Sequence, residues 1–165
     1  MNKQLLLILS FPIIFMIHDF EEIIGIKPWI NKNADYLYQR FPKLAPKFVS
    51  HLQHSTTERF AVGVAIMFIL VCTVTYVSIW SQFYQLWMGA FMFFSIHIII
   101  HIIQWIAVKR YVPVIITSLL SIPYCAYGIM VIINSFDSLT IVLWAAITFV
   151  VATFMLLFIH KFIIK

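Results

Sequence analysis

Residues 83–108 read FYQLWMGAFMFFSIHIIIHIIQWIAV and contain no Lys, Arg, Asp or Glu. The stretch exceeds the ~20 apolar residues that a helix needs to cross the hydrocarbon core of a bilayer. Within it, His97 and His101 stand four positions apart, on one helix face, and Gln104 continues the same stripe. Ionisable side chains at such depth are costly and face a bundle interior or a polar cavity. The segment therefore predicts a membrane-spanning helix that carries polar groups to an enclosed site.

The rest of the chain repeats the apolar pattern. Of its 165 residues, 63% are hydrophobic and 10% charged, against roughly 25% charged in soluble domains. Spanning segments are expected at 4–26, 60–80, 83–108, 112–133 and 139–160. The expected fold is all-α, a single membrane domain of five transmembrane helices joined by a cytoplasmic loop at 27–57. Breaks fall at that loop, near Ser81-Gln82, at Lys109-Arg110 and at Asn134-Ser135-Phe136-Asp137-Ser138. The first segment has no small-residue cleavage site and carries charges inside, so it reads as retained rather than as a signal peptide. Cys72 and Cys125 lie in apolar runs and form neither a metal-type pair nor a disulfide framework.

With five spans, Lys27, Lys32, Arg40, Lys43, Lys47, Arg59, Lys109, Arg110, Lys161 and Lys165 share one side, and only Lys3 lies opposite. The positive-inside rule then places the N-terminus outside and the C-terminus in the cytoplasm. The net charge of +5 follows from this topology and from attraction to anionic lipid, and gives no reason to invoke nucleic acid. In the loop, Ala34, Leu37, Tyr38 and Phe41 recur at helical spacing, and Pro42 and Pro46 precede a second short segment with Phe48 and Leu52. One or two helices lying at the membrane surface are expected there, as a lid over the enclosed site.

Half of the six acidic residues fall in one turn of the first span, MIHDFEEIIG at 16–25. At ~100° per residue, His18, Glu21 and Glu22 share one arc, with Asp19 at its edge. His18 lies nine residues before Lys27, and His101 eight before Lys109. Both therefore sit ~12 Å from the same side of the membrane, and Thr117 lies at a similar depth in the fourth span, followed by Ser118 and Ser121. Glu58 opens the second span. Polar residues on antiparallel spans have no reason to share a level unless they meet. Three carboxylates at that depth would repel each other, and a divalent cation offsets both the repulsion and the burial. The mixed nitrogen and oxygen donors suit iron, manganese or zinc, as one or two ions.

The pentapeptide His18-Asp19-Phe20-Glu21-Glu22 resembles the signature of the HXXEE family of small bacterial and archaeal membrane proteins. Glu58 after a Thr-Thr pair, His97 with His101, and Arg110-Tyr111-Val112-Pro113 before Thr117 extend the resemblance from about residue 12 to about residue 123. Val114 departs from it, because glycine is expected after the proline. The resemblance implies a membrane-embedded, metal-dependent enzyme and supplies no substrate.

The expected ligand set is His18, Glu21, Glu22, His97 and His101, with Glu58 joining if two ions are held. Glu21 or Glu22 is the expected general base of a hydrolase, and a diiron pair would make the protein an oxidoreductase. Asp19, Gln104, Arg110, Tyr111 and Thr117 are candidates for supporting the ligands or touching a lipid-like, membrane-borne substrate. Glu58 has a structural alternative as the third residue of a capping box opened by Ser55. His51, His54 and His160 read as solvated. A proton- or cation-coupled transporter would need a polar path through the bare outer half, and a purely structural subunit would leave the shared depth unexplained. A homodimer is compatible with so small a chain, but no Gly-x-x-x-Gly pattern marks a face.

Overall fold

The computed structural model describes residues 3–159 and 161–162, so His160 and Lys165 lie outside the described residues. Six α-helices follow one another: α1 (Lys3–Arg40), α2 (Ala45–His54), α3 (Thr57–Ser81), α4 (Gln85–Val108), α5 (Ile115–Ser135) and α6 (Ser138–Ile159). No strand occurs among the described residues.

Four helices, α3 to α6, are long and apolar enough to cross a membrane, as in a membrane protein. This corrects the expected five spans. The segment 4–26 is not a separate span but the first part of α1, a 38-residue helix. At 1.5 Å per residue, α1 is about 57 Å long, and it carries Asp19, Glu21, Glu22 and Lys27 near its middle.

α1 does not stop at Lys27, despite Pro28 inside it. A proline removes one intrahelical hydrogen bond, yet the helix continues past it to Arg40. Its polar side chains cap the exposed carbonyls at the C-terminal ends of two other helices. Lys27 Nζ donates to Leu52 O (3.3 Å), Gln53 O (2.5 Å) and Ser55 O at the end of α2. Tyr36 OH donates to Val108 O (2.7 Å), and Arg40 reaches Ala107 O through Nε and Nη2, at the end of α4. The stretch expected to be a loop is thus the far half of α1 and the short α2, packed through Ile30, Leu37, Ala45 and Val49. Pro46 lies in the first turn of α2, where a missing N–H costs nothing.

The larger core is aromatic. On α1, Leu7, Ile8, Phe11 and Phe15 form one stripe against Trp87, Met88, Phe91, Phe94 and Ile98 of α4. Phe11 meets Phe91 and Phe94 edge-on at 5.8 and 5.6 Å between ring centroids. α4 is the central helix, touching α1, α3, α5 and α6. Its close approach to α6 depends on Gly89, where a Cβ would collide with Thr148 and lie 3.0 Å from Trp144 O.

The tight turn expected near Ser81-Gln82 is present, with Gln82 left-handed at φ 56°. α3 is capped by Thr56, whose Oγ1 accepts from Arg59 N (3.3 Å), instead of by Ser55 and Glu58. Ser55 is buried, and its carbonyl takes Lys27. His54 is exposed as expected, whereas His51 is half-buried.

Candidate functional site

The core stripe of α1 continues without a break into polar residues. After Phe11 and Phe15 come His18, Asp19 and Glu22, at the i, i+3, i+4, i+7 positions of the same face. α4 does likewise, with Phe94, Ile98 and His101 buried in succession. Two aromatic faces that pack together must therefore bring His18 to His97 and His101.

The three imidazoles form one cluster. His18 lies 5.4 Å from His97 and 5.2 Å from His101, between ring centroids, and His97 lies 4.3 Å from His101. His97 Nε2 and His101 Nε2 are 2.9 Å apart. One nitrogen from each of the three rings falls within 4.8 Å of the other two, a spacing at which an ion could be held. Phe94, edge-on to His18 at 5.8 Å, closes the apolar side.

Hydrogen bonds on the outer ring nitrogens set the tautomers. Thr117 Oγ1 has one hydrogen, directed at Glu21 Oε2 (2.7 Å), so toward His18 Nδ1 (3.1 Å) it accepts. His18 is then protonated at Nδ1, and its Nε2 keeps a lone pair. That Nε2 is fully buried and has no hydrogen-bond partner. In the same way His101 Nδ1 donates to Gln104 Oε1 (2.9 Å), which leaves a lone pair on Nε2, the acceptor toward His97 Nε2 (2.9 Å). Outer partners that fix ring tautomers in this way are typical of metal-bound histidines. The orphaned His18 nitrogen, in a site with two further imidazoles, fits a divalent ion with nitrogen preference.

The adjacent glutamates part company. Glu21 turns to α5, where Thr117 N donates to Oε2 (2.8 Å) and Tyr111 OH donates to Oε1 (3.0 Å). It is a support for Thr117 and His18, and its oxygens do not join the imidazole cluster. Glu22 instead joins Asp19 and His97 in a second group, one ligand atom from each lying within 4.8 Å of the others. The expected set of His18, Glu21, Glu22, His97 and His101 thus separates into three histidines, a carboxylate pair that shares His97, and a supporting Glu21. Glu58 is exposed on the first turn of α3 and belongs to neither group. Arg110 is not at the cluster: its guanidinium stacks on Tyr36 at 3.6 Å, and Nη1 donates to Asn33 Oδ1 at 3.4 Å.

The turn between α4 and α5 delivers Tyr111 and Thr117. It is anchored by Trp29 Nε1, which donates to Tyr111 O (2.6 Å). It is seated on Gly25, where a Cβ would stand 2.7 Å from Pro113 Cβ. Partial burial and the hydrogen bond to Glu21 hold the Tyr111 phenol above its usual range, so it remains a donor. Val114, at the position where glycine is expected, takes φ 81°. A β-branched residue is strained there by roughly 1–3 kcal/mol, and burial of Val112, Pro113, Val114 and Ile115 fixes it. Gly25 and Trp29 escaped the sequence reading, and a glycine three residues beyond the charged turn was the available signal.

No curated protein and no solved structure matches the chain. A family model described as "Protein of unknown function with HXXEE motif" matches residues 9–128, a span that includes every residue of both polar groups. The chain belongs to the HXXEE family.

Proposed function

We propose that this chain is a metal-dependent membrane enzyme that acts on a lipid-like, membrane-borne substrate, with hydrolysis as its chemistry. The observation that carries the proposal is the buried, partnerless Nε2 of His18 beside His97 and His101. Three neutral imidazoles leave a fourth position open in a tetrahedral site, the pattern of catalytic rather than structural zinc, and manganese or iron(II) also accept such donors. The ion would supply Lewis acidity toward a carbonyl or phosphoryl oxygen.

The protein's own groups do the rest. Thr117 and Gln104 hold the histidine tautomers, and Glu21 holds Thr117. Asp19 and Glu22 stand beside His97 and can accept the proton of an attacking water. Of the two expected bases, Glu22 takes this role and Glu21 is the positioning residue. Phe94 and Ile98 keep bulk water from one side. The second reading is a dinuclear oxidoreductase, favoured by the Asp19–Glu22–His97 group, which offers a second ion position that shares His97.

The positive-inside rule assigns the end with Lys27, Arg40, Lys43, Lys47, Lys109 and Arg110 to the cytoplasm. The site then lies in the cytoplasmic half of the bilayer, where such a substrate can enter sideways. The proposal is tested by stripping the purified protein with chelator, reloading it with zinc, manganese or iron, and following membrane lipid extracts for cleavage products. Turnover that needs the metal and vanishes in Glu22→Gln supports it. Absence of any metal-dependent product from folded, metal-loaded protein contradicts it.

A further inference from the structure

At the end of α4 is an open recess of about 400 Å³ lined by Trp105, Ile106, Lys109, Arg110 and Tyr111. Its two cations are adjacent and exposed, and neither forms an ion pair among the described residues. Arg110 is nevertheless held in place, stacked on Tyr36 and bonded to Asn33. A guanidinium fixed in this way keeps donors free for an incoming anion and has little side-chain entropy left to lose.

The recess is also joined to apolar surface. Below Ile106, the side chains of Ile103, Ile99 and Ile96 are exposed along one face of α4, the four isoleucines standing at i, i+3, i+7 and i+10. On the other side, Tyr111 is a wall of the recess and at the same time the donor to Glu21 Oε1 (3.0 Å). From Glu21 the hydrogen bonds run through Thr117 to His18. A cationic rim, an apolar strip leading away from it and a direct link to the buried cluster therefore occur in one place.

We infer that the recess formed by Trp105, Lys109, Arg110 and Tyr111 binds the anionic headgroup of a membrane amphiphile, with its chain along the Ile106–Ile103–Ile99 face of α4. The inference rests on the proposed enzymatic reading and names its substrate class: a phosphate-bearing lipid. The two cations recognise the charge, Trp105 lies at the headgroup level, and Tyr111 senses occupancy next to Glu21. A phosphate free in solution would satisfy the same cations without the apolar strip, so the two sources are separable.

The test uses the full chain in mixed micelles of phosphatidylglycerol and phosphatidylcholine, with the lipid retained after washing identified by mass spectrometry and the metal content read on the same samples. Wild type is expected to retain phosphatidylglycerol over phosphatidylcholine by about tenfold, as two cations near a lipid surface allow. Lys109→Gln/Arg110→Gln is expected to lose the preference at unchanged metal content. Lys43→Gln/Lys47→Gln removes the same charge from exposed positions around α2 and should keep it. If Arg110→Gln destabilises the chain, Lys109→Gln alone, at an exposed position, should lower the preference severalfold. Equal retention of both lipids by wild type overturns the inference, as does an equal loss in the Lys43/Lys47 control. Displacement of the lipid by millimolar inorganic phosphate overturns the amphiphile assignment. Lipid preference without bound metal keeps the headgroup site and removes the metalloenzyme; bound metal without preference does the reverse.

Discussion

α1 and α6 pack against the same central helix in opposite ways. α1 turns a continuous stripe inward, from Leu7 through Phe15 to His18 and Asp19, and every polar group of the cluster depends on that registration. α6 buries only Ala152 and Ile159 and presents Leu139, Val142, Phe154 and Leu157 outward. The family match ends at residue 128, before α6 begins. The comparison teaches where the constraint lies. α1, α4, α5 and the turn at 109–114 build the site, whereas α6 packs along α4 and supplies no residue of either polar group.

Several substitutions can break or sharpen this contrast. The largest effect short of removing a ligand belongs to Thr117→Val, which keeps the side-chain volume and deletes the acceptor for His18. Metal affinity measured by competition with a chromogenic chelator should fall about 10–100-fold. Gly25→Val comes next, because its Cβ meets Pro113 and pushes away the turn that carries Tyr111 and Thr117. It should lose ~1–3 kcal/mol of stability and weaken metal binding together. Gly89→Leu should cost a similar ~1–3 kcal/mol in thermal or denaturant unfolding yet leave metal affinity as it is, since it disturbs only the α4–α6 contact. If it weakened metal binding like Gly25→Val, the division between α6 and the helices that build the site would be wrong. The smallest effect is expected for Phe154→Ala on the exposed face of α6, within about 0.5 kcal/mol.

Much of this was legible in the sequence because burial in a bilayer leaves a strong signature. The apolar runs of α3 to α6, the turn at Ser81-Gln82 and the helical periodicity of 34–41 all correspond to features of the fold. The shared depth of His18, His101 and Thr117 was readable because antiparallel helices convert residue counts into height. Three things were not. α1 runs through Lys27-Pro28 because its side chains cap the ends of α2 and α4, and those partners are distant in sequence. The expected fifth span dissolved for the same reason: the charged turn belongs to a longer helix that two other elements support. Helix angles put Glu21 and Glu22 in one arc, but only the position of α5 decides that Glu21 bonds Thr117 while Glu22 faces His97. Likewise the Ser55–Glu58 capping box yielded to Thr56 and Arg59, because Ser55 is drawn inward to Lys27.

The central claim is that His18, His97 and His101 hold a metal ion, and elemental analysis of protein purified in mild detergent tests it most directly. Wild type, His18→Ala, His101→Ala, Glu21→Gln and Glu58→Ala would be compared, with folding checked by circular dichroism. Close to one zinc, manganese or iron per chain is expected in wild type and in Glu58→Ala, with loss in both histidine variants and a weakened content in Glu21→Gln. Two ions per chain would point to the dinuclear reading through Asp19 and Glu22. Folded wild-type protein that holds no metal, even after each candidate ion is supplied, would contradict the claim and leave the cluster as hydrogen-bonded packing between α1 and α4.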